Sequence, residues 1–241
     1  MYLKWNEKNI TDFADNHINS LYNEGYVFTR VGKGVMNQTR SLRVDLSNFE
    51  LTSENRRVLK KTEGLEIQSV ALPYSQYDWT VGKMAKDFYD TKFGDKTFSA
   101  NKIKELLTDD KKSNFNLLFL YTVIPVKACP RLRSGTGIQT DTTLDSRFHG
   151  NDMTVGYAIC RETNELLHYS YPFYNLNQST KDTGLGMMIR AILWAKEHGK
   201  KYIYLGSASR PTDTYKLQFK GIEWFDGKRW SVDLDKLKSL L

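Results

Sequence analysis

A mixed α/β fold (α+β in its ordering) with a largely antiparallel sheet, flanking helices and a small N-terminal region is predicted for this chain. Three features predict it. Apolar stretches with helical spacing alternate with short β-rich runs, turn residues separate the runs, and no segment repeats at a period of about 20 to 50 residues, which sets aside solenoids and propellers. The 241 residues suffice for one large domain or two small ones, and 40% apolar with 26% charged residues excludes disorder throughout. No apolar run approaches the roughly 20 residues that span a bilayer, and the start MYLKWNEKNITDF lacks a basic and an apolar region, so a cytoplasmic protein with no membrane partner is expected. Two cysteines, Cys129 and Cys160, supply neither a disulfide framework nor a zinc site, and no metal is expected.

The first helix is predicted over Asn9 to Glu24, where Ile10, Phe13, Ala14, His17, Ile18 and Leu21 recur at helical spacing and Gly25 ends the run. Tyr26 to Val31 and Ser41 to Leu46 read as strands around a Gly-containing turn. Ser53 can cap a helix carrying Arg56, Arg57 and Leu59. Another helix is expected over Gly82 to Phe93, and Ser99 precedes one with Ile103, Leu106 and Leu107 on its inner face. Phe115 to Ile124 reads as a buried strand. Thr154 to Cys160 and Leu166 to Tyr174 form a hairpin, followed by a wide apolar helix over Gly184 to Gly199 and a short buried strand, Lys201 to Gly206. Ile222 to Phe225 and Arg229 to Val232 flank Asp226-Gly227, a strong hairpin signal. The division expected is an N-terminal subdomain, 1–95, and a second domain, 96–241.

Residues 129–152, CPRLRSGTGIQTDTTLDSRFHGND, break this pattern with almost no periodicity. The wording resembles the translated product of a palindromic repeat element inserted in frame, and a disordered surface excursion is expected. Without it, FLYTV and VGYAI would be joined by an ordinary turn. A cluster of Cys129, His149 and Asp152 is the functional alternative; it requires a long polar loop to hold three groups rigidly.

Lys and Arg total 35 against 28 acids, a balance of +7 that suits a polyanion such as RNA. Arg56-Arg57 with Lys60-Lys61 one turn later can contact phosphates or form a solvated face. Strand, strand, the Gly184-Leu185-Gly186 turn, helix and short strand is the order of an acyltransferase-type core. A glycine pair opening a helix lets backbone N–H groups approach an anion. A plain tight turn is the alternative. His17 and His168 alternate with apolar neighbours and are expected to be packed rather than catalytic.

TGLGMMIRAILWAKEHGKKYIYLG, then TYKLQF, then IEWFDGKRW resembles the C-terminal half of the aminoacyl-tRNA:protein transferases, the arginyl- and leucyl-transferases of the N-degron pathway, which have a GNAT-like fold. The motif positions here are Leu185-Gly186, Tyr202 to Gly206, Tyr215-Lys216 with Phe219, and Asp226-Gly227 with Trp230. Upstream, Arg43, Phe49, Ser53, Arg56 and Arg57 match the family's Arg-x-x-x-x-Phe segment and Ser-x-x-x-Arg-Arg helix. The resemblance covers about residues 20–70 and 110–241 apart from the insert. Many members carry a Cys-x-x-Cys pair before that segment; this chain reads VMNQTRSLRV there, so a metal or iron–sulfur cluster is expected to be absent.

The resemblance implies transfer of an amino acid from aminoacyl-tRNA to the N-terminus of an acceptor protein beginning with Asp or Glu, which tags it for degradation. The donor ester is already activated, so no ATP or other cofactor is expected. Lys216, with Tyr215 beside it, is the candidate for the acceptor's carboxylate, and Arg210 and Tyr204 are further acceptor candidates. Asp182 can act as a base or as an ordinary helix N-terminal acid. Gly184, Leu185, Gly186, Arg56 and Arg57 are the candidates for donor and tRNA. Two rival functions remain: an acyl-CoA-dependent N-acyltransferase of the GNAT superfamily, and a non-catalytic tRNA- or protein-binding relic.

Overall fold

A computed structural model describes residues 3–123 and 154–241. The strands are β1 (Asn6–Asn9), β2 (Tyr26–Phe28), β3 (Val35–Gln38), β4 (Ser41–Asp45), β5 (Leu65–Ala71), β6 (Leu117–Val123), β7 (Thr154–Glu162), β8 (Leu166–Tyr174), β9 (Tyr202–Ser207), β10 (Ile222–Phe225) and β11 (Trp230–Ser231). The helices are α1 (Asp15–Asn23), α2 (Ser53–Lys61), α3 (Trp79–Phe93), α4 (Ala100–Thr108), α5 (Thr183–Glu197) and α6 (Leu234–Ser239), with a 3-10 helix over Pro211–Gln218. Eight strands form the main sheet in the order β11-β10-β4-β9-β8-β7-β6-β5, while β1, β3 and β2 make a separate small sheet. The fold is therefore mixed α/β with a large mixed sheet and flanking helices. Within the main sheet every neighbouring pair is antiparallel except β8 and β9.

Strand alternation explains the layering. Along β6, Leu117, Phe119 and Tyr121 enter one core while Leu118 and Leu120 enter the other, as the two-residue period of a strand requires. Val58 of α2, Met188 and Ile192 of α5 and Leu237 of α6 fill the first core. Ile18 of α1, Phe88 of α3 and Ile103 of α4 fill the second, with Phe28 and Met36 of the small sheet. A sheet covered on both faces accounts for the nearly continuous apolar runs of β6 and β7.

Several elements differ from the sequence reading. The first helix begins only at Asp15, because residues 6–9 pair with β3, and His17 is exposed on the face opposite Ile18, Leu21 and Tyr22. Tyr26–Phe28 and Ser41–Asp45 belong to different sheets, with β3 between them. The cap of α2 is Thr52, whose hydroxyl accepts from Asn55 N at 3.1 Å, while the Asn55 side-chain oxygen accepts from Thr52 N. Strand β5 is not expected from the sequence: only Leu65 is buried in LEIQSVA, as befits an edge strand. Residues 129–152 lie outside the described residues, but β6 and β7 pair directly, with Thr122 opposite Thr154. Strands from both 1–95 and 96–241 share the main sheet.

Helix α5 crosses from β8 to β9 and leans on the end of α2. Arg190 donates to the hydroxyl of Thr62 at 2.9 Å and to its carbonyl oxygen, and to Gly186 O at 3.2 Å. A Cβ on Gly186 would stand 2.6 Å from the Thr62 hydroxyl oxygen and 2.9 Å from its methyl carbon. Gly186→Ala is expected to lower stability by about 1 to 3 kcal/mol in a urea titration, the usual cost of overpacking. Adding Thr62→Ala, which removes both nearest atoms, is expected to recover most of that loss. A Gly186→Ala protein as stable as the wild type would show that the two helices do not need the glycine.

Candidate active site

The parallel pairing of β8 and β9 lasts three residues: Leu166 opposite Tyr202, Leu167 opposite Ile203 and His168 opposite Tyr204. Beyond that point each strand carries an extra residue. On β8, Tyr169 faces Cys160 and Tyr171 faces Ile159, so Ser170 is the unpaired one. On β9, Tyr204 faces Arg43 and Ser207 faces Ser41, so one of Leu205 and Gly206 is extra, and Gly206 takes a φ of 78°. A bulge bends its strand. Strand β8 stays with β7, β9 stays with β4, and a gap opens between them.

The 3-10 helix supplies what fills the gap. Lys216 Nζ donates to Ser207 O at 3.0 Å and lies 3.6 Å from Asp213 Oδ1, with its side chain 12% exposed. Asp213 in turn accepts from the backbone N–H groups of Ser209 and Arg210, both at 3.0 Å, so one carboxylate fixes the loop after β9 and the cation in the gap. Burial weakens the hold of Lys216 on its proton; Asp213 opposes the shift and Arg210 adds to it. Deeper in, His168 Nδ1 shares a hydrogen bond with Tyr22 Oη at 2.9 Å. Burial pushes that imidazole down to about 3, and the Lys216 charge acts in the same direction.

Exposed aromatic rings lie beside Lys216 and Arg210. Tyr215 and Phe93 are 46% and 44% exposed, and the Arg210 guanidinium lies 5.0 Å from the centre of the Phe93 ring. Tyr174, at the end of β8, packs on Phe88 at 4.7 Å between ring centres, and a Cβ on Gly184 would meet its ring at 3.1 Å. The first turn of α5 thus abuts this end of β8.

Of the residues singled out in the sequence, Lys216, Tyr215 and Arg210 share the 3-10 helix region, and Gly184 touches the same rim through Tyr174. Others lie elsewhere. Tyr204 is a correction: it is fully buried, edge-on to Tyr22 at 4.8 Å and 3.4 Å from Arg43 Nη1, so an acceptor cannot reach it. Its hydroxyl is pushed up to about 12 by burial, against the pull of Arg43. Gly186 is turned to Thr62 rather than outward, and Leu185 packs on the core. Asp182 sits 3.5 Å from Arg57 and 3.4 Å from Lys61, tying the start of α5 to α2, so its carboxylate is engaged there as a link between the two helices. Arg57 also forks onto Glu54, and Arg56 donates to Leu51 O at 2.6 Å, both from exposed positions. Asp213 and Phe93 went unnoticed in the sequence. The three-residue spacing of Asp213 and Lys216 was a usable signal; Phe93 gave none, because its neighbours in the gap come from distant segments.

No family model matches the chain. It is similar to curated relatives over part of its length. The "Aspartate/glutamate leucyltransferase" of Stenotrophomonas maltophilia (strain R551-3) is 27% identical over 100 residues, 39% of this chain and 40% of that protein. The protein of the same name from Xylella fastidiosa (strain M23) is 30% identical over 78 residues, 32% of this chain and 31% of that protein. The chain is a distant homologue of these leucyltransferases over about a third of its length, and the matched stretch spans less than half of each relative. Among solved structures, a putative lysylphosphatidylglycerol synthetase C-terminal domain from Agrobacterium fabrum aligns with a TM-score of 0.44 and 13% identity, covering 83% of this chain and 55% of that one. A GCN5-related glucosamine N-acetyltransferase region of a fungal protein aligns at 0.47 and 8%, over 90% and 23%. FemX aligns at 0.43 and 11%, over 80% and 60%.

The buried His168 makes stability depend on pH. It is neutral in the fold down to about 3, whereas an unfolded histidine takes up its proton near 6.5, so between those values the unfolded chain binds the extra proton. Stability from this group is fully present above about pH 6.5 and is lost as pH falls toward 3, by at most about 1.4 kcal/mol per pH unit. In urea titrations at pH 7, 6, 5 and 4, the gap between wild type and His168→Gln is expected to shift in favour of the variant at each step down. Parallel pH curves would show that His168 is reached by water.

Proposed function

We propose that this chain transfers an amino acid from aminoacyl-tRNA to the N-terminal amine of acceptor proteins that begin with Asp or Glu, marking them for degradation. The single observation that carries the reading is the gap between β8 and β9, with a buried lysine at its base. The named activity of the distant relatives supports it and makes leucine the first donor to test, with arginine as the second. In the reaction, the acceptor's neutral α-amine attacks the ester carbonyl. The new C–N bond forms, the bond to the ribose oxygen breaks, and the proton lost from nitrogen ends on that oxygen. Neither ATP nor another cofactor is consumed, because the ester already carries the activation.

Lys216 suits the acceptor's side chain. One of its three N–H donors is given to Ser207 O, Asp213 adds an ion pair at 3.6 Å, and an incoming carboxylate would favour the charge that burial disfavours. Tyr215, next to it and half exposed, orients the entering main chain, and Arg210 adds positive charge at the mouth. The exposed basic side of α2, with Arg56, Arg57, Lys60 and Lys61, is the proposed contact for tRNA phosphates. An acyl-CoA donor fits less well. Gly184 and Gly186 are committed to packing against Tyr174 and Thr62, and the Asp182 carboxylate stands at the helix start where a pyrophosphate would have to sit.

The test is incubation of the protein with tRNA charged with labelled leucine or arginine and with peptides beginning with Asp, Glu, Lys or Ala. Lys216→Ala is expected to reduce kcat/KM for the Asp and Glu peptides by about ten- to hundredfold, the worth of a charge-assisted hydrogen bond, with a much smaller effect on the others. Lys216→Arg is expected to retain part of the acidic preference. A uniform loss across all peptides would reassign Lys216 to tRNA, and wild-type protein that binds tRNA without ever turning over would establish the relic instead.

A further inference from the structure

We infer that the cleft between residues 73–79 and α4 is a nucleotide-binding site separate from the β8–β9 gap. The cleft has a volume of about 770 Å³, within the range of small-molecule sites. Its two walls differ in chemistry. One is aromatic, made by Tyr74, Tyr77 and Trp79, and the Trp79 side chain is 73% exposed although it starts a helix whose next turn is buried. The facing wall is polar: Asn101, Lys104 and Thr108 of α4 stand three to four residues apart, hence on one side of the helix, while Ile103, Leu106 and Leu107 on the other side enter the core.

These walls ask for a flat ring that carries an anion. Trp79 offers the face on which a base stacks, and Lys104 offers a point charge for a phosphate. No carboxylate pairs with Lys104 among the described residues, although its neighbour Lys102 is paired with Glu105. The acid in the cleft, Asp78, accepts at Oδ1 from the backbone N–H and the hydroxyl of Thr80 as the cap of α3. The Asn101 amide can both donate to and accept from a base edge. The overall charge of +7 favours such an anion at long range. A nucleotide meets these demands whether it comes free or as an unpaired residue of an RNA strand. The inference does not rest on the transfer reading, since binding is measured without any charged donor.

The experiment follows tryptophan fluorescence and isothermal titration of the 241-residue chain with AMP, adenosine, inorganic phosphate and deacylated tRNA. AMP is expected to quench, adenosine to bind more weakly, and phosphate alone to bind most weakly of the three. Trp79→Ala is expected to weaken AMP by about five- to hundredfold, the range for loss of one base stack. Lys104→Ala is expected to weaken AMP several-fold while leaving adenosine unchanged, a split that general damage to the fold would not produce. Both side chains lie at the surface, and unchanged melting temperatures check that the variants fold. If the same two variants weaken deacylated tRNA in parallel, the nucleotide is one of RNA; if tRNA is unaffected while AMP is weakened, it is a free nucleotide. Absence of AMP binding, or AMP binding indifferent to both substitutions, overturns the inference.

Discussion

The parting of β8 from β9 is the constraint on which the candidate site depends. Parallel strands joined by a helix would ordinarily stay paired, and their continued pairing would close the sheet with backbone hydrogen bonds. Here one extra residue in each strand bends them toward their outer neighbours, at Ser170 on one side and at Leu205–Gly206 on the other. Freed backbone groups in the interior need partners. Lys216 supplies one such partner: its ammonium donates to the Ser207 carbonyl oxygen.

That solution places a cation where burial disfavours it, and its surroundings are arranged accordingly. Asp213 lies at 3.6 Å and is itself anchored by two backbone N–H groups, so the pair is embedded in a turn and not left as two loose side chains. Replacing such a pair by apolar groups often costs nothing in stability, whereas removing one member does. Around the pair, His168 is kept neutral, and Tyr22 Oη meets its Nδ1.

Much of the fold could be read from the sequence because it depends on local pattern. Helices α3, α4 and α5 show their buried faces at helical spacing, and Asp226-Gly227 marks its hairpin, with Gly227 at a φ of 102°. Strand β5 could not be read, because an edge strand buries little, and β1 gave no local signal because its pairing with β3 is a long-range matter. For the candidate site, the Tyr215-Lys216 motif falls on the 3-10 helix whose lysine reaches Ser207. The same motif logic misplaced Tyr204, since period and composition do not say which face of a covered sheet meets solvent. The glycines of α5 misled in a different way. A glycine pair at a helix start reads equally as an anion cradle or as relief for tight packing, and Tyr174 and Thr62 decide for packing.

The most direct measurement is a crystal structure of the protein with leucyl-adenosine in which the ester is replaced by a stable amide. The expected result is the leucyl carbonyl lodged between β8 beyond His168 and β9 at Ser207, with room beside Lys216 for the acceptor's carboxylate. An analogue bound only outside that gap, with the Lys216 and Asp213 contacts undisturbed and no room beside them, would contradict the assignment of the gap as the place where donor and acceptor meet.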